Sequence, residues 1–89
     1  MVKELSTYFV GRGEVKGMEF TQIHKTDHAY MYECVNNGQI HYEVFKRKEN
    51  KHFNTVSYPS SKAFGLWAWT FANILDAQAK LELINIEKH

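Results

Sequence analysis

Cysteine is almost missing from this chain. Cys34 stands alone among 89 residues, so no internal disulfide can form and no multi-thiolate zinc site can come from one copy. That usage fits a reducing compartment, and a cytoplasmic location is the expectation. Proline is equally scarce, which makes Pro59 the sharpest punctuation in the sequence. A charge excess is absent too: 11 basic against 10 acidic residues leave a net charge of +1. Such a balance supplies no global field to draw in nucleic acid or an anionic membrane. Apolar runs of spanning length are lacking, and "MVKELSTYFVGRG" has no continuous apolar core of the kind a signal peptide needs, so neither a membrane partner nor export is expected. No segment repeats or falls to low complexity, and the length suits a single domain over 1–89.

Rings are what the chain has in plenty. Aromatic residues make up 15% of it, and they are expected to supply most of the core volume. Asn37-Gly38 in "YECVNNGQIHYEVF" is the strongest local signal, because a type I′ hairpin turn needs two residues that tolerate positive φ. Strands near 28–36 and 39–48 should pair around it. Val35 then faces Ile40, Met31 faces Val44 and Glu33 faces Tyr42 on one surface. Tyr30 opposite Phe45, Tyr32 opposite Glu43 and Cys34 opposite His41 make the other. Residues 18–25 read as a further strand, with Met18, Phe20, Gln22 and His24 extending the first surface. A weaker strand lies within 5–15, where Gly11 and Gly13 mark a bulge or a close backbone approach. Residues 53–58 are a short candidate edge strand.

Beyond Pro59, Ser60 or Ser61 can cap a helix, and Phe64, Trp67, Ala68, Phe71, Leu75 and Ala79 recur at three- and four-residue steps. The expected fold is therefore α+β: an antiparallel meander of about four strands (sheet about 5–58) with one C-terminal helix (about 60–85) across one face. The surface carrying Met18, Phe20, Met31, Val35, Ile40, Tyr42 and Val44 is assigned to the helix. On a regular helix Trp69 falls opposite Trp67 and Phe71, with Leu66 and Asn73 one turn away on either side. A large ring beside an aliphatic residue has the composition of an interface anchor, unless a loop covers it.

Signals for chemistry are thin. His24, His28, His41, His52 and His89 show no HExxH spacing, and no metal or other cofactor is expected. Cys34 and His41 are cross-strand neighbours, a pairing that could lower a thiol pKa, but a nucleophile also needs an orienting group and a cleft. "GRGEVKG" lacks the lysine-serine/threonine ending of a phosphate loop. Aromatic and basic residues do interleave at Tyr30, Tyr32, Phe45, Lys46, Arg47 and Lys48. Single-stranded nucleic-acid platforms combine stacking rings and cations in this way, although cross-strand aromatic pairs also stabilise a solvent-facing sheet.

"HYEVFKRKENKHFNTVSYPSSKAFGLWAWTF", residues 41–71, resembles a pattern in small proteins of bacteriophages and gut-bacterial mobile elements, in which an EVFKRK-like strand precedes a YP-S-AFG-WAW segment. The resemblance covers about a third of the chain. It implies a compact cytoplasmic protein without cofactor motifs and carries no catalytic residues. Two functional expectations stand side by side. One is a non-enzymatic protein that docks a protein partner or its own copy through Trp69, Leu66 and Asn73. The other is nucleic-acid binding on the Tyr30, Tyr32, Phe45 surface.

Overall fold

Asn37 and Gly38 take positive φ, 53° and 80°, which only a turn of the primed type asks of two successive residues. Around them β3 (Ala29–Asn36) and β4 (Gln39–Lys46) pair antiparallel in the register that this turn dictates, from Asn36↔Gln39 to Ala29↔Lys46. The computed structural model describes residues 2–87. Added to the hairpin are β1 (Tyr8–Val10), β2 (Glu19–Lys25) and β7 (Ala68–Phe71), giving an antiparallel sheet in the order β1-β2-β3-β4-β7. A separate two-stranded ribbon joins β5 (Glu49–Asn50) to β6 (Thr55–Val56). One helix, α1 (Ile74–Glu87), packs on the five-stranded sheet, so the fold is α+β.

The helix begins later than its expected start near 60. Ser61–Ala63 forms only a 3-10 turn, and Gly65, at φ 92°, reverses the chain so that Gly65 N donates to Ala68 O at 2.8 Å. "AWTF" then runs as the fifth strand, whose aromatic and β-branched residues suit a pleated surface. Asn73 starts the helix: its Oδ1 accepts the Leu75 N–H at 2.7 Å and its carbonyl accepts Ala77 N–H at 3.2 Å. Ala77, Leu81 and Ile84 point inward, while Leu75 and Ala79, expected in the core stripe, face out.

A second departure lies in β2. Its pairing with β3 slips between Gln22 and His24, leaving Ile23 as an inserted residue. One inserted residue inverts the alternation upstream of it. Met18 and Phe20 therefore leave the helix-covered face and join Tyr30, Tyr32 and Phe45, whereas His24 stays level with Met31 as expected. Gly11 is the close approach that its position suggests. Its N–H donates to Met18 O at 2.7 Å, and a Cβ there would stand 2.2 Å from the Val15 carbonyl oxygen.

The sheet is consequently a divider between two cores. Between α1 and the sheet, Ala77, Leu81 and Ile84 of the helix meet Ala29, Met31 and Val44, with Trp69 and Phe71 at the margin. On the opposite face Phe20, Tyr30, Tyr32 and Phe45 form the larger, aromatic core, closed over by residues 2–9, the β6 strand and residues 58–67. Tyr32 and Phe45 stack with centroids 5.8 Å apart, and Tyr58 and Trp67 meet Phe45 edge-on. Tyr32 Oη donates to Ser6 O and accepts from Gln22 Nε2, so the buried hydroxyl is satisfied.

Backbone bonds from Lys3 N to Asn54 O and from Val56 N to Lys3 O hold the N-terminal segment in place. Glu4 does the same electrostatically. Its carboxylate accepts Arg47 Nε at 3.1 Å and Nη2 at 2.5 Å, and the Tyr30 hydroxyl donates to it as well. Arg47, and then Tyr30, hold the Glu4 carboxyl down at about 2 from its ordinary 4.5. A carboxyl depressed by folding stabilises the native state above its unfolded pKa and loses that effect as pH falls towards the folded value. Glu4→Gln should lower Tm by a few degrees at pH 7, since the pair is partly solvated. That deficit should close between about pH 5 and pH 2. A deficit that stays constant across that range in melts of both proteins would contradict the clamp.

Candidate functional site

The residues expected to carry function separate in space. Tyr30, Tyr32 and Phe45 have no solvent exposure at all, so none offers a face on which a base could stack. Burial and Glu4 push the Tyr30 hydroxyl up to about 12. Of the cations beside them, Arg47 is committed to Glu4 and to Glu49, the latter at 2.6 Å from Nη1. Lys46 is half-buried, and Lys48 sits 5.5 Å above the Trp67 ring. The solvent-facing aromatic and basic platform expected from alternation is therefore a covered core. The cover is the N-terminal segment together with residues 56–67, of which the sequence pattern marks 53–58 only as an edge strand.

Trp69, Leu66 and Asn73 also part company. Trp69 lies on β7 and turns towards α1, where Lys80 Nζ stands 3.9 Å over the ring. Trp67, one residue before the strand, turns to the aromatic core. The two tryptophans do lie on opposite sides, but of a sheet, and α1 covers the second. Leu66 is exposed in the reversal at Gly65, and Asn73 is the helix cap.

Three arrangements remain in which the fold assembles something the sequence does not spell out. The first is a cleft of about 450 Å³ whose lining includes Glu43, Tyr58, Ser60, Ser61, Phe64 and Thr70, with Arg12 at the rim. Strand alternation places Glu43 on the aromatic face, and there it is only 5% exposed. Tyr58 Oη donates to Glu43 Oε1, and His41 Nε2 lies 3.3 Å from Oε2. Burial, then the neighbouring Glu43 charge, raises the Tyr58 hydroxyl far above its usual range. The site holds a neutral phenol against a carboxylate, with hydroxyls from Ser60, Ser61 and Thr70 available to a polar ligand.

The second arrangement lies under that carboxylate. Cys34, cross-strand from His41, is buried, and its Sγ groups with His41 and Glu43 so that one ligand atom from each lies within 4.8 Å of the others. His41 does not lower the thiol pKa here. Burial first, and the Glu43 and Glu33 charges after it, push it well up, so a bare thiolate nucleophile is not what the pair provides at neutral pH.

The third is the outside of α1. Leu75, Ala79, Leu83 and Ile86 recur at helical spacing on the side away from Ala77, Leu81 and Ile84. Three of them are large and open to solvent: Leu75 69%, Leu83 45% and Ile86 67%. A helix apolar on two opposite faces is usually covered on both. A shallow depression lined by Phe71, Asp76, Ala79, Lys80 and Leu83 continues this stripe to β7, the outermost strand of the sheet. The sequence pattern places Leu75 and Ala79 of this stripe inward, as a continuation of Phe64, Trp67 and Phe71 on one helix, a continuity that the β7 strand breaks. Among the described residues no helix is long and apolar enough to cross a membrane. His89, one of the five histidines, lies outside the described residues. No protein-family model matches the chain, and comparison with curated proteins and with solved structures likewise finds no significant match.

Proposed function

We propose that this is a small cytoplasmic binding protein without catalytic activity, and that it docks a second copy of itself through the outer face of α1 and the adjoining edge of β7. The observation that carries the reading is the uncovered stripe of Leu75, Ala79, Leu83 and Ile86 on a helix whose other face is already packed. Self-association is favoured over a foreign partner by the neighbouring strand. Beyond Ala68, whose carbonyl already accepts the Gly65 N–H, the outer edge of β7 can pair with its own two-fold copy, and such pairing would bring the two helices' stripes alongside each other. Asp76 and Lys80 flank the depression with opposite charges, which a two-fold interface can match acid to amine. The small side chain of Ala79 at the middle of the stripe leaves room for close helix approach. The resemblance to phage and mobile-element proteins supplies context for this reading and no activity.

Leu83→Glu places a charge in the stripe without touching the inner face. Sedimentation across a concentration series should show the unmodified protein associating, and the variant should associate at least about tenfold more weakly with an unchanged melting curve. A unmodified protein that stays monomeric at every concentration, or a variant that assembles as well as the original, would overturn the proposal.

A further inference from the structure

The cluster beneath the cleft has the composition of a metal site. Cys34 reaches it from β3, and His41 and Glu43 reach it from alternate positions of β4, so that neighbouring strands aim three different donors at one point. The two oxygens of Glu43 are differentiated. Oε1 takes the Tyr58 hydroxyl, while Oε2 faces His41 Nε2 at 3.3 Å. A carboxylate oriented on one oxygen by a hydroxyl has the outer support that metal-binding side chains commonly have, and a metal would take the place of the present contact between Oε2 and His41. Cys34 and Glu43 are buried and His41 is partly open, with its side chain 28% exposed, which leaves a route of entry.

We propose that Cys34 Sγ, His41 Nε2 and Glu43 Oε2 bind one zinc-class divalent ion. A sulfur, nitrogen and oxygen set suits zinc among the abundant divalent ions, since calcium and magnesium take oxygen ligands alone. Bond lengths of about 2.0–2.3 Å to such donors require the three atoms to draw together somewhat from their present spread. Binding breaks the Cys34 S–H bond and forms an S–metal bond, and the proton leaves to solvent. Three protein ligands leave a fourth position for water or an exogenous donor. Sequence spacing does not reveal this set, because the strand register and not a helical repeat brings its members together.

Cobalt(II) and zinc(II) are the probes. Titration of the folded protein with Co(II) should saturate at one equivalent and produce a near-ultraviolet thiolate-to-cobalt charge-transfer band together with intense tetrahedral visible bands. Zn(II) should bleach both and raise Tm. Cys34→Ala should abolish the charge-transfer band, His41→Asn should weaken binding, and Tyr58→Phe should weaken it by roughly 10–100-fold. Absence of saturable binding would overturn the proposal. So would binding without the sulfur band, which would place the ion on surface histidines. Should Cys34→Ala fail to fold, the sulfur band in the unmodified protein and the higher Co(II) concentration needed to produce it in His41→Asn decide the matter; an unchanged titration of His41→Asn would overturn the proposal.

Discussion

Phe45→Ala is expected to cost about 3–5 kcal/mol, most of what holds a domain of this size together. Phe45 is wholly buried on β4 and touches four other rings: Tyr30 and Tyr32 stack on it, while Tyr58 and Trp67 meet it edge-on. Removing it opens a cavity bounded by large, well-anchored side chains. Tyr30 and Tyr32 are fixed by their hydroxyl bonds to Glu4 and Ser6, so they are poorly able to collapse into the space. Urea unfolding should show the midpoint falling sharply at unchanged slope. Phe53→Ala is the control, since Phe53 is 69% exposed and its loss should change stability by no more than about 0.5 kcal/mol. A Phe45→Ala loss below about 1 kcal/mol would mean that the aromatic face is loosely packed.

Gly11→Ala should be the next most damaging change. A Cβ at Gly11 would lie 2.2 Å from Val15 O, 2.7 Å from Val15 Cγ2 and 3.0 Å from Phe20 Cε1. The first of these atoms is backbone and cannot turn aside. Relief requires the 3-10 turn at Gly13–Val15 to shift, at a cost of about 1–3 kcal/mol or more. Gly13→Ala provides the contrast. Nothing lies within 4 Å of a Cβ there, and the cost is confined to holding φ at 62°, about 1–2 kcal/mol. Thermal melts that rank Gly13→Ala as the worse of the two would show that the turn yields readily.

The hairpin was the most legible part of the molecule because everything that fixes it is local. Asn37-Gly38 selects the turn, the turn selects the register, and all eight β3–β4 pairs follow. The bulge at Ile23 was not legible, since an inserted residue carries no mark of its own in an alternating pattern. "AFGLWAWTF" satisfied two periods at once. Its rings match the three- and four-residue steps of a helix, and Trp67, Trp69 and Phe71 also match the two-residue step of a strand. Gly65 was the available discriminator, because glycine is costly inside a helix and apt at a reversal with positive φ. The buried state of Tyr30, Tyr32 and Phe45 depends on contacts with residues 2–9 and 56–67, a tertiary fact that neither strand's own pattern contains. Glu43 escaped for the same reason: its partners Tyr58 and His41 converge on it only once the sheet is assembled.

The seating of Lys3 against Asn54 and Val56 also sets an order of events during synthesis. The segment that covers the aromatic face is made long before the residues that hold it down. At about 5–20 residues per second, the ribosome takes on the order of several seconds to go from one to the other. Until residues 54–67 follow, Tyr30, Tyr32 and Phe45 lack the part of their cover that those residues supply. A chain released short of residue 54 would therefore present its stacked aromatic face, Tyr30, Tyr32 and Phe45, to whatever holdase chaperone is near.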